Sequence, residues 1–142
     1  MFIGDVVNGG ALPVLELTAK FAARRQAVLA HNIANLSTPG FQPTEVSPQG
    51  FQRLLGDAIA RRRESGGGPL DWRATREIAR DGDDLRLEPR TVSRNILFHD
   101  RNNRDLERMM ADQVENVGVF RVATDLLRSR YLLIASALGE RV

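Results

Sequence analysis

Residues 12–36 read LPVLELTAKFAARRQAVLAHNIANL. Within them Leu12, Leu15, Ala19, Ala22, Gln26, Leu29, Ile33 and Leu36 alternate spacings of 3 and 4, and Gln26 is the one polar member. A stripe of that period lies along one side of a helix and predicts packing against another helix. Pro13 suits the first turn, where its missing N–H costs little. The helix must stop before Pro39, because Pro39 pushes Thr38 away from helical dihedrals. Pro39-Gly40 then supplies the fixed φ and the permissive residue of a tight turn.

The other end of the chain repeats the pattern. Leu106, Met110, Gln113, Val117, Phe120, Thr124, Leu127, Tyr131, Ile134 and Leu138 alternate 4 and 3 without a slip. Asn103 is the expected N-cap, with Asp105 and Glu107 adding negative charge to the first turn. Gly139 is the expected stop. At 1.5 Å per residue this helix would be about 50 Å long and the first nearer 40 Å. Gln26 and Gln113 sit inside the stripes, where a lone polar residue either fixes register or lies solvated at an edge.

The middle differs. Ser47 is the expected cap of a short helix over 48–62 starting at Pro48, with Phe51, Leu54, Leu55, Ala58 and Ile59 on one side. It runs into Arg61-Arg62-Arg63 and a glycine-rich breaker over 64–69. Residues 70–99 read as irregular or extended, with Leu85, Leu87, Val92, Ile96 and Phe98 in loose alternation. The chain thus divides into 1–41, 42–99 and 100–142. The expected fold class is mainly α, with two long terminal helices paired as an antiparallel coiled coil and a small irregular central region that holds one short helix and room for short extended segments.

Two narrow stripes make a poor core for one small chain. Val14, Phe21, Val28, Val119, Val122 and Leu133 fall off them and would be left wet in a two-helix hairpin. The reading is therefore a subunit whose terminal helices gain burial from neighbouring copies.

Composition excludes several functions. The chain has 142 residues, 42% hydrophobic and 27% charged, enough for one ordinary domain with a core. It has no cysteine, so no disulfide, cysteine nucleophile or thiolate metal site is expected. Lys20 is the only lysine, and the net charge is +2, weak grounds for nucleic-acid binding despite Arg61-Arg62-Arg63. No apolar run approaches the roughly 20 residues of a membrane span. The first residues do not read as a standard secretory signal, since no base precedes Lys20 and Glu16 interrupts the apolar run. His31 and His99 lack metal-ligand spacing. Asp81-Gly82-Asp83-Asp84 fails as an EF-hand because Val92 stands where the twelfth-position glutamate belongs. The run Gly66-Gly67-Gly68 lacks the Gly-Lys-Ser/Thr of a phosphate loop. No catalytic, metal or cofactor-binding residue emerges, and an enzyme is not expected.

One segment is far more specific: Asn32-Ile33-Ala34-Asn35-Leu36-Ser37-Thr38-Pro39-Gly40-Phe41. It resembles the signature of the bacterial flagellar basal-body rod family and its axial relatives: Asn-Ile-Ala-Asn, two variable residues, then Thr-Pro-Gly and an aromatic. Asp100-Arg101-Asn102-Asn103-Arg104-Asp105-Leu106-Glu107 is similar to that family's C-terminal stretch, departing at Arg101 and Arg104. Chain length and Phe51-Gln52-Arg53-Leu54-Leu55 resemble its proximal member most, with another short rod subunit close behind.

The resemblance implies a non-enzymatic subunit of a hollow, torque-transmitting shaft in the periplasm, exported by the flagellar type III apparatus without signal cleavage. It implies as partners other copies, other rod subunits, the adaptor protein FliE and the membrane-ring base, with no cofactor, nucleic acid or small-molecule substrate. The more remote alternative is a small Arg-rich nucleic-acid-binding protein. On the rod reading the two stripes carry assembly, and Asn32, Asn35, Thr38, Pro39 and Gly40 set the helix end. Their amides would satisfy the last carbonyls or bridge to a neighbour.

Overall fold

A computed structural model of the chain describes residues 10–82, 84–91 and 106–139. Three helices dominate them: α1 (Leu12–Ala34), α2 (Pro48–Glu64) and α3 (Leu106–Gly139). Four short strands, β1 (Thr44–Glu45), β2 (Ile78–Asp81), β3 (Asp84–Leu87) and β4 (Arg90–Thr91), form two separate antiparallel pairs. The mainly helical class is as the sequence reads.

Each helix end has a local cause. Pro13 lies in the first turn of α1, and the last-turn carbonyls of His31 and Ile33 accept from amides just beyond the helix. Chain reversal follows in one turn: the Phe41 amide donates to the Thr38 carbonyl at 3.2 Å, with Gly40 at φ 73°. Pro at the second position and a left-handed residue at the third make this a type II turn, and that φ disfavours any residue with a Cβ. Ser47 caps α2, its Oγ accepting from the Gly50 amide at 3.1 Å. Gly66, Gly67 and Gly68, all at positive φ, follow its C-terminus.

In the middle of the chain the short extended segments read from the sequence are present as strands, but their pairing and packing go beyond that reading. β2 and β3 form a hairpin with Ile78 opposite Leu87 and Arg80 opposite Leu85. Gly82 at φ 61° supplies the left-handed residue that two-residue hairpin loops require. The hairpin delivers Ile78 and Leu85, with Trp72 before it, into a core shared with Leu17 and Phe21 of α1, Val46, and Phe51, Leu54 and Ala58 of α2. The rings of Phe21 and Phe51 stack with centroids 4.0 Å apart and planes 4° from parallel. Phe21, expected to be wet, is therefore anchored inside the chain, and Val14 and Val28 are half-buried. The alternation at 78–87 is too short and too interrupted by arginine to announce this. The long stem of Arg80 lies against the hairpin base, its guanidinium 5.5 Å over the Trp72 ring. Val92, Ile96, Phe98, His99 and the stretch 100–105, Asn103 included, lie outside the described residues.

The core thus uses one side of α1. The other side receives α3, and no residue of α3 enters the core cluster.

Candidate assembly surface

The signature residues do two distinct jobs, and both are internal to the chain. Asn32 is buried, and its carboxamide grips one backbone residue from both sides. Nδ2 donates to the Thr44 carbonyl at 2.7 Å, and Oδ1 accepts from the Thr44 amide at 3.1 Å. That pins β1 beside the end of α1, and β1 in turn pairs with β4, Thr44 opposite Thr91. Asn35 satisfies the helix end, Nδ2 donating to the His31 carbonyl at 2.9 Å. The Thr38 amide donates to the Asn35 carbonyl at 2.9 Å. Of the two expected roles, Asn35 takes the carbonyl-satisfying one and Asn32 takes neither. Phe41 sets its edge against the His31 ring at 5.4 Å, half-buried. Ile33 and Leu36 are half-buried, while Ala34, Thr38, Pro39 and Gly40 are exposed.

On α1 the stripe read from sequence is largely covered: Leu12, Ala19, Ala22 and Leu29 are buried, and Leu15 and Gln26 half-buried. On α3 the covered line differs by one position. Met109, Asn116 and Ala123, seven apart, are its buried residues. Of the stripe read from sequence, Gln113, Val117, Thr124, Leu127 and Ile134 are half-buried, whereas Leu106, Met110, Phe120, Tyr131 and Leu138 are exposed. The contact explains the shift. Asn116 Nδ2 reaches the Ala22 carbonyl at 2.9 Å and Gln26 Oε1 at 3.0 Å. Only small or slender residues at the line allow so close an approach, so the bulky members turn away.

Arg25 completes this contact. It is only 4% exposed, its Nη1 meets Asn116 Oδ1 at 3.5 Å, and its Nε has no hydrogen-bond partner among the described residues. Sequence reasoning missed Arg25 and Asn116 because both stand one position off the apolar stripes; Gln26 it found. The signal for Asn116 was present as the seven-residue step Met109–Asn116–Ala123. Near the other end of α1, Arg108 lies 4.0 Å from Glu45. Thr124 is spent on its own helix, its hydroxyl donating to carbonyls of the preceding turn.

Beyond Leu127, α3 has no buried residue. That stretch carries Tyr131, Leu132, Leu133 and Leu138, all more than half exposed. Nearer the pair, Met110, Val114, Val119, Phe120, Val122 and Leu126 are also exposed. Apolar residues in this density on one element mark a surface built to be covered. No described helix is long and apolar enough to cross a membrane. The described residues hold no group of three or more acidic or histidine side chains placed to bind a metal ion.

A family model described as flagella basal body rod protein matches residues 18–42, most of α1 and the reversal after it. The match supports the rod family, which is a family of structural proteins and not of enzymes. No curated protein matches the chain.

Proposed function

We propose that the chain is a structural subunit of the bacterial flagellar basal-body rod, of the proximal, FlgB-like kind. Its terminal helices pair as an antiparallel coiled coil and polymerise with other copies and other rod subunits into the hollow shaft that transmits torque across the periplasm. Export proceeds through the flagellar type III apparatus without signal cleavage, and FliE and the membrane-ring base are the neighbours at the foot of the shaft. The single observation behind this reading is the exposed apolar face of α3, on a chain whose N-terminal signature matches the rod family. Covering one large aliphatic side chain contributes roughly 1.5–3 kcal/mol. A handful of such residues on α3 therefore supplies a strong drive for association.

The face is split from the fold in a way that permits a clean test. Leu29 is buried against the chain itself, so an aspartate there would unfold α1 and say nothing of assembly. Leu132 and Leu133 are exposed. Leu132→Asp with Leu133→Asp should leave the helical content and secretion of the chain intact while abolishing its incorporation into basal bodies. Normal incorporation and motility in that double variant would overturn the proposal.

A further inference from the structure

A second surface lies away from the α3 face. One wall is α2, with Arg53, Asp57 and Arg61 at successive four-residue steps. The other is the segment 73–77, with Arg73 and Arg76, and Leu54 and Ile78 form an apolar floor. The groove encloses about 590 Å³, and no residue of α3 lines it.

Its charge is unbalanced. Arg53, Arg73 and Arg76 are exposed and make no hydrogen bond or ion pair with the described residues. Arg61 donates from Nη2 to the Asp71 carbonyl at 3.0 Å, while its Nε is sealed without a partner. Of the two acids, Glu77 accepts from the Ser47 amide at 2.8 Å. The Ser47 amide is neutral and leaves the Glu77 charge in place, so two carboxylates stand against four guanidinium groups.

We infer that this groove is a docking site for an extended acidic polypeptide segment of a partner protein. Guanidinium forks match carboxylates in bidentate geometry. Arg53 and Arg61 are about 12 Å apart along α2, near the span of side chains four residues apart on an extended strand. The apolar floor suits a peptide's intervening side chains. A nucleic acid fits worse, because no aromatic residue lines the groove to stack a base.

The test uses the full isotope-labelled chain titrated at low ionic strength with a ten-residue oligoglutamate. Amide shifts should saturate, be confined to residues 47–61 and 73–78, and vanish at high salt. Arg53→Glu with Arg76→Glu, both on free exposed side chains, should weaken binding at least tenfold with an unchanged circular dichroism spectrum. Three results would overturn the inference: no saturable shift, shifts centred on Arg121, Arg128 and Arg130 of α3, or tighter binding of duplex DNA than of oligoglutamate.

Discussion

Asn32 holds Thr44 by both of its backbone groups, at 2.7 and 3.1 Å. One buried carboxamide thereby welds the end of α1 to the strand that returns across it. The signature motif acts first as a folding device, which the chain must complete before any surface can be presented.

Asn32→Ala should therefore destabilise the chain by about 1–3 kcal/mol, because it leaves both Thr44 groups unpaired in a half-buried setting. Asn32→Asp should be no better, since an oxygen would then face the Thr44 carbonyl at the donor's position. Urea denaturation followed by circular dichroism measures both. Wild-type stability in either would show that the clamp is incidental.

Arg25 and Asn116 should part company on mutation. Asn116→Ala removes the bonds to Ala22 and Gln26 and should cost about 1–2 kcal/mol. Arg25→Met removes a buried charge that has no acidic partner among the described residues. Its stability should be equal or higher, by about 1 kcal/mol, because desolvation of the guanidinium is no longer required. Thermal melts distinguish the cases, and a large loss for Arg25→Met would reveal a counter-charge.

The two faces of the molecule should respond oppositely to truncation. Phe21→Ala opens a hole where the Phe51 ring stacks and should cost about 3–5 kcal/mol. Phe120→Ala removes an exposed ring and should change stability by less than about 1 kcal/mol. Equal losses would mean that α3 is buried within the lone chain.

Lys20 carries a pH signature. Its hydrogen bond to Glu16, 2.7 Å away, raises its pKa above the ordinary lysine value despite partial burial. A raised folded-state pKa adds stability that is complete below the unfolded value of 10.5 and disappears as pH rises through the folded one. Lys20→Met should lie below the wild type at neutral pH by a small margin that closes in strong alkali. Parallel curves from pH 8 to 12 would contradict this.

How much was legible follows from what each residue depends on. The ends of α1 and α2 could be read because caps and turns are local: Pro13, Ser47, Pro48, Pro39 and Gly40 act within four residues of themselves. The α1 stripe could be read because small and apolar residues recur on it. The α3 stripe was displaced by one position because periodicity counts apolar residues. The real contact line is instead set by how closely Asn116 can approach Ala22. The hairpin was invisible for a similar reason, as Ile78 and Leu85 owe their burial to Phe21 and Phe51, which lie far away in sequence. The expectation of bare apolar edges at both ends fails at the N-terminal end, where α1 is covered on both sides, and stands on α3.

The most direct measurement uses the absence of cysteine from the chain. Leu132→Cys introduces a single thiol on the exposed part of α3, and its maleimide labelling can be compared between the free chain and purified basal bodies. The account predicts rapid labelling when free and strong protection when assembled. Equal labelling in both states would contradict it.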